Sequence, residues 1–259
     1  ELVGRLSECP RIALDTEADS LHCYFEKLCL IQVSAGDEHV LVDPLAGIDL
    51  QPLYDVVCSR RLVFHGADYD LRLLRRAGHF EPVDLFDTMI AARLSGKSAL
   101  GLAALVEERF GVTLSKASQK ANWAIRPLPP IMVEYALNDT RYLFEIADNL
   151  EAELQRLHRW EWFVESRDRM IASTREVKER DESTVWRISG SSALSPRAQA
   201  VLRALWFWRD TEAKGWDRPS FHVIGNEDLL RVASQVASGA PFSTPRMNGR
   251  RRKSFDVMI

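Results

Sequence analysis

Acidic side chains occur in this sequence where folded chains rarely keep them. Arg11-Ile12-Ala13-Leu14-Asp15-Thr16-Glu17 has the composition of a strand, and side chains along a strand alternate between its two faces. Ile12, Leu14 and Thr16 then point one way, and Ala13, Asp15 and Glu17 the other. Two carboxylates about 4 Å apart repel by about 4 kcal/mol at an effective dielectric of about 20. Such a pair persists if it is solvated, protonated or bridged by a cation. A second fragment, Phe64-His65-Gly66-Ala67-Asp68-Tyr69-Asp70-Leu71, leaves a strand and opens a helix. Acids in a first helical turn serve the dipole or the cap, a role that fits Asp68 better than Asp70. A third fragment, Tyr135-Ala136-Leu137-Asn138-Asp139, lies inside a helix, and its spacing puts Tyr135 and Asp139 on one face. Each fragment taken alone has an ordinary structural explanation.

The elements that must carry these fragments follow from patterning. Strands are expected at residues 11–17, 28–34, 39–43, 61–65 and 83–86, with Gly36-Asp37 turning the second strand into the third and Pro44 stopping it. Helices are expected at residues 68–77, from Asp87-Thr88 to Leu94, and from Leu100 to Phe110. Three closely linked strands followed by alternating helices and strands predict an α/β domain with a mixed sheet, hairpin strands on one side and parallel crossovers on the other. Residues 111–128 read as irregular. Pro127, Pro129 and Pro130 introduce a helix, and no Gly or Pro interrupts Ile131 to Ile188, which predicts one long helix or two. Ser189-Gly190-Ser191-Ser192 reads as a linker. Pro196 opens a further helix through Trp208-Arg209, and Asn226 is expected to cap one over residues 227–237. The last stretch therefore predicts a small all-α domain with Trp206, Trp208 and Trp216 in its core.

The chain has 259 residues and a formal net charge of −3. That overall balance argues against a nucleic-acid partner, but it hides a split. Residues 1–150 carry 15 Lys/Arg against 22 Asp/Glu, residues 151–185 carry 7 against 9, and residues 186–259 carry 12 against 6. The basic surplus lies in the last region, where Arg197, Arg203, Arg209, Arg218 and the run Arg250-Arg251-Arg252-Lys253 could track phosphates. No stretch is long and apolar enough to predict a membrane span, and the first residues lack the pattern of a signal peptide. Cys9, Cys23, Cys29 and Cys58 make no metal-binding spacing and read as buried free thiols of a reducing, cytoplasmic compartment.

In order and type, Asp15-x-Glu17, His65-x-x-x-x-Asp70-Leu71 and Tyr135-x-x-x-Asp139 resemble the DEDD superfamily of 3′-5′ exonucleases, tyrosine subclass. Leu28 to Val33, Asp43-Pro44-Leu45, Val83 to Ala92, Asn122 to Leu128 and Tyr135 to Leu143 resemble its RNase D branch. The family often has Asp where this chain has Asn122, a position outside the carboxylate set. Residues 196–230 resemble a helicase-and-RNase-D C-terminal (HRDC) domain, whose last helix is expected to be short. The resemblance implies an RNase H-like exonuclease fold with a mixed β-sheet plus a small all-α HRDC-like domain. It divides the chain into an exonuclease domain over 1–175, a helical linker over 176–192 and the HRDC-like domain over 193–259.

The resemblance also implies a chemistry. Asp15, Glu17, Asp70 and Asp139 would hold two divalent cations, Mg²⁺ or Mn²⁺, and hard oxygen donors suit both ions. Glu17 and Asp139 would serve the nucleophile side, Asp15 would bridge, and Asp70 would serve the leaving-group side. Tyr135 would orient the attacking water, since an ordinary phenol is a poor base at neutral pH. His65, Trp123 and Arg126 are candidate contacts to the nucleic acid, each with a packing role as the alternative. Gln32 reads as core or sheet edge. The implied activity is 3′→5′ exoribonuclease trimming of RNA 3′ ends, such as tRNA precursors, by a monomer that releases nucleoside 5′-monophosphates. A 3′→5′ exonuclease acting on single-stranded DNA and a silent nucleic-acid-binding scaffold are the alternatives.

Overall fold

Five strands form one mixed sheet in the computed structural model of the chain, which describes residues 1–176, 180–241, 247 and 249–259. The strands are β1 (Arg11–Ala18), β2 (Leu28–Ala35), β3 (Glu38–Val42), β4 (Arg61–Phe64) and β5 (Asp84–Asp87). Their spatial order is β3-β2-β1-β4-β5. The β1/β2 and β2/β3 pairs are antiparallel, and the β1/β4 and β4/β5 pairs are parallel. Short connections yield the hairpin side, and the crossovers through helices yield the parallel side, as the order of elements predicts.

The helices are α1 (Leu2–Ser7), α2 (Gln51–Cys58), α3 (Asp68–Ala77), α4 (Thr88–Leu94), α5 (Leu102–Phe110), α6 (Pro130–Arg141), α7 (Leu143–Arg156), α8 (Trp160–Arg175), α9 (Pro196–Trp216), α10 (Asn226–Ser238) and α11 (Gly249–Met258). Strand alternation sorts the core into two layers. Ile12, Leu14, Leu62 and Phe64 pack with Tyr54, Val57, Leu71 and Leu74 of α2 and α3. Ala13, Val63 and Phe86 pack with Ala91, Ala92, Ile146, Leu150 and Phe163 of α4, α7 and α8. All eight residues of β2 are buried, so it reads as a continuous apolar run broken only by Gln32 and Ser34.

Three expectations need correction. The Gly- and Pro-free stretch after Ile131 holds three helices up to Arg175, not one or two. Tyr142 separates α6 from α7, and the turn after α7 uses His158 in the left-handed region at φ 55°. A non-glycine residue accepts that strain because the flanking Leu154 and Phe163 are fully buried. Two short helices, α1 and α2, were not expected. In α2, Leu53, Tyr54, Val57 and Cys58 form one buried helical face that a strand reading cannot see. Finally, Gly225 stands at the N-cap of α10, and Asn226 is its first residue. The Asn226 side chain instead accepts a 2.7 Å bond from the Arg209 guanidinium.

The chain divides into two compact units, Glu1–Asp19 with Lys27–Val177, and Ser20–Glu26 with Lys178–Ile259. The first holds the sheet and α1–α8. The second holds α9–α11 around Leu202, Leu205, Trp206, Trp208, Leu229, Val232 and Phe255. The loop residues assigned to it are tied in by Tyr24, whose hydroxyl donates to Asp210 at 3.1 Å. Within this unit Trp206 and Trp208 are core residues as expected, whereas Trp216 is 44% exposed and lies under the Arg251 guanidinium, 3.6 Å from its ring centroid. Arg209 is buried and bonds to the Ile224 carbonyl, so it is unavailable to a phosphate. Residues 177–179, in the expected linker, and residues 242–246 and 248, in the expected C-terminal domain, lie outside the described residues. No helix among the described residues is long and apolar enough to cross a membrane. Cys23, Cys29 and Cys58 are buried free thiols, while Cys9 is only half-buried.

Candidate metal centre

Strand β1 delivers Asp15 and Glu17 to one sheet face, and α6 lies across the neighbouring strands. Pro130 starts α6 with its φ already set for a helix and no N–H to leave unpaired. Three turns later Thr140 accepts a 2.7 Å bond from the Ser34 hydroxyl of β2, which pins the helix next to Asp139. The result is that carboxylate oxygens of Asp15, Glu17 and Asp139 all lie within 4.8 Å of one another. Tyr135, one turn earlier on α6, faces the same cavity of about 640 Å³, together with Thr16, His65, Met89, Leu100 and Lys116.

Asp70 stands outside that trio. It is buried in the first turn of α3, and the Thr16 hydroxyl donates to it at 2.5 Å. Its placement depends on Asp87. That carboxylate accepts from the Gly66 and Ala67 amides at 3.2 and 2.8 Å and from the Met89 and Ile90 amides at 2.8 and 3.0 Å. One side chain thus ties the starts of α3 and α4 together. Gly66 adopts φ +80°, and a Cβ there would meet Met89 at 3.1 Å, so glycine is needed to turn β4 into α3. His65 sits in the same turn with its Nδ1 2.9 Å from the Thr88 hydroxyl.

The electrostatics record the crowding. Burial, then the neighbouring Asp70, Asp139 and Glu17, push Asp15 well above the ordinary carboxylate range. Burial and then Asp139 and Asp70 raise Glu17 to about 9. Burial and Asp70 raise Asp139 to about 7. Burial raises Asp70 to about 6 against the lowering bond from Thr16. Tyr135 is pushed above its usual value by burial and then by Asp139, Glu17 and Asp15. Burial lowers His65. Without a compensating cation these acids retain protons. A close set of oxygen donors with no thiolate or imidazole among them fits a divalent cation of the Mg²⁺ or Mn²⁺ type.

Two of the expected substrate contacts are structural. Trp123 is 1% exposed and packs on the Tyr135 ring at 5.9 Å, so its face cannot stack on a base. The Arg126 guanidinium is committed to a bidentate pair with Asp43 at 2.6 Å per bond and to the carbonyls of Cys29 at 2.7 Å and Trp123 at 2.8 Å. A fork so occupied holds a loop in place. Arg126→Ala is expected to lower stability by about 1–2 kcal/mol through the unpaired carbonyls, read as a fall in melting temperature of about 2–8 °C. Sequence reading missed the supporting polar groups Thr16, Ser34 and Thr140. Their visible signal is a hydroxyl at a position where strand or helix patterning calls for an apolar side chain.

The fold and the site have known counterparts. Residues 1–155 match the family model described as 3'-5' exonuclease. The chain is 36% identical over 249 residues to a ribonuclease D of Xanthomonas oryzae pv. oryzae, covering 93% of this chain and 66% of that protein. It spans between 56% and 66% of the length of the ribonuclease D relatives it matches. The catalytic core of RRP6 from Trypanosoma brucei superposes with a TM-score of 0.82 at 28% identity, covering 99% of this chain and 74% of that one. Escherichia coli RNase D, described as an exoribonuclease involved in structured RNA processing, superposes at 0.74 with 28% identity, covering 99% and 70%. With the family model matched across the sheet and α6, the chain belongs to the 3'-5' exonuclease family, as an RNase D-like DEDD member.

Proposed function

We propose that this chain is a metal-dependent 3′→5′ exoribonuclease of the tyrosine subclass, acting on the 3′ ends of tRNA or other structured RNA precursors and releasing nucleoside 5′-monophosphates. The observation that carries this reading is the convergence of Asp15, Glu17 and Asp139 within 4.8 Å, with Tyr135 lining the same cavity and the Asp70 charge acting on Asp15. In it, Asp15, Glu17, Asp70 and Asp139 are the ligands of two divalent cations, Mg²⁺ or Mn²⁺. When bound, such cations supply the positive charge that favours an attacking hydroxide and a leaving 3′-oxygen in an in-line displacement.

The protein's own groups have separate tasks. Tyr135 keeps its proton at neutral pH, because its surroundings raise its pKa, so it orients the attacking water by a hydrogen bond. His65 is held by Thr88 at the cavity wall, where it contacts the terminal nucleotide. Residues 1–175 form the exonuclease domain, 176–192 the linker and 193–259 an HRDC-like domain whose basic surplus holds RNA. The protein works as a cytoplasmic monomer in this reading. Support comes from the ribonuclease D relatives, the donor set and the charge split along the chain.

The direct test is a 5′-labelled RNA incubated with Mg²⁺ or Mn²⁺ beside a DNA of matched sequence. The expected result is a ladder shortening from the 3′ end of the RNA and abolished by EDTA. Faster loss of the DNA would shift the reading to a DNA exonuclease, and binding without turnover would shift it to a scaffold. Tyr135→Phe is expected to lower kcat about 10- to 100-fold through lost positioning, with KM and the shape of the pH profile unchanged. A pH profile that loses a limb in that variant would instead make Tyr135 a proton carrier.

A further inference from the structure

Gln32 is 0% exposed, and both its amide nitrogen and its amide oxygen lack a hydrogen-bond partner among the described residues. A buried side-chain amide normally satisfies most of its bonding capacity, so a central strand that carries one unpaired needs a reason. Its position supplies one. In the β1/β2 ladder Gln32 is the direct partner of Asp15, and directly opposed residues project to the same face with Cβ atoms about 4.5–5.5 Å apart. The Thr16 backbone N–H faces the Asp15 carboxylate, whereas the Thr16 hydroxyl donates to Asp70. The opposite strand thus holds an unspent donor beside Asp15.

The helix above repeats the pattern. α6 packs on β1 and β2, and the Asn138 side-chain oxygen, adjacent to Asp139, is also buried without a partner. The Ser34–Thr140 bond is spent two residues further along β2.

We infer that Gln32 is a positioning residue of the metal centre, whose amide N–H groups, unpaired here, turn to the neighbouring Asp15 carboxylate when it binds a divalent cation and fix the oxygen that Asp15 presents to that ion. This inference rests on the metal-dependent reading above. Outer hydrogen bonds to metal-ligating carboxylates orient them, and their loss typically weakens metal binding about 10- to 100-fold. An apolar replacement of similar shape removes an unpaired buried amide, so it does not destabilise the metal-free fold.

The test uses Gln32→Leu in the full chain. Melting temperature is followed against Mn²⁺ concentration without RNA, and kcat and KM are measured on RNA. The expected result is a metal-free melting temperature equal to or above that of the wild type, a half-maximal Mn²⁺ concentration raised about tenfold or more, and a reduced kcat with KM unchanged. A wild-type Mn²⁺ midpoint in Gln32→Leu overturns the inference, as does a lower metal-free melting temperature with that midpoint retained. If Gln32→Leu does not fold, Gln32→Met carries the same comparison with a more adaptable side chain. A wild-type protein that shows no shift with Mn²⁺ overturns the metal-dependent reading itself, a result distinct from loss of the difference between the two proteins.

Discussion

Asp15→Asn is expected to fold normally and to lose hydrolysis by about 10³-fold or more. The size follows from the role. Asp15 stands among Glu17, Asp139 and Asp70, whose charges all disfavour its ionised form, and a shared cation would lower that repulsion. Losing about 4 kcal/mol of charge stabilisation in the transition state corresponds to three factors of ten. The amide is nearly isosteric, and it removes a carboxyl whose charged form burial, and then the three other acids, already disfavour. Metal-free stability should therefore not fall. Steady-state rates on RNA, with a melting curve of the same preparation, check both halves. Turnover within about tenfold of the wild type would remove Asp15 from the centre.

A second expected result is a reversal of the pH dependence of stability by metal. Folded-state values of about 6 for Asp70, about 7 for Asp139 and about 9 for Glu17 lie above the ordinary ones of 3.8 and 4.5. A raised carboxyl favours the folded state fully below the unfolded value, and that contribution is lost as pH rises through the folded value. Metal-free protein should thus lose stability from about pH 4 to about pH 9. Because the acids share one site, the loss is set by the group and not by summing residues. One unit of net shift corresponds to about 1.4 kcal/mol, or about 3–6 °C. With Mn²⁺ the sign inverts, because the cation binds the deprotonated carboxylates. At a free Mn²⁺ concentration of about 100 times its dissociation constant the gain is about 2.7 kcal/mol, or about 5–11 °C. Melting curves at pH 5, 7 and 8.5 with EDTA or Mn²⁺ check this. A curve that rises with pH in EDTA would contradict the buried acidic cluster.

Much of the sheet is legible in the sequence. The alternation in residues 11–17 set Asp15 and Glu17 on one face, and the Gly36-Asp37 turn set the antiparallel edge. These are local properties, written in neighbouring residues. The misreadings share a different cause. Helices α6 to α8 have no Gly or Pro between them, and the packing of Leu154 and Phe163 with the His158 and Arg159 backbone N–H bonds to Gln155 and Leu154 holds His158 in its turn. Trp123 and Arg126 stood in an irregular segment that nucleic-acid contacts would suit. Burial of the indole and four-way bonding of the guanidinium decided otherwise. Arg209 shows the same limit, since a basic residue on a helix is legible as a charge but its burial is not.

By itself the sequence determined the types, order and strand or helix setting of the acids Asp15, Glu17, Asp70 and Asp139 and of Tyr135, because backbone periodicity fixes which side chains share a face within one element. The charge split between the first 150 residues and the last 74 was equally readable there. Tertiary structure alone decided that Asp139 closes on Asp15 and Glu17, that the Thr16 hydroxyl binds Asp70, that Asp87 ties two helix starts together, and that Gln32 is buried unpaired opposite Asp15. Distances between elements far apart in the chain depend on how their faces pack, and burial converts those distances into raised carboxyl pKa values and a demand for a cation.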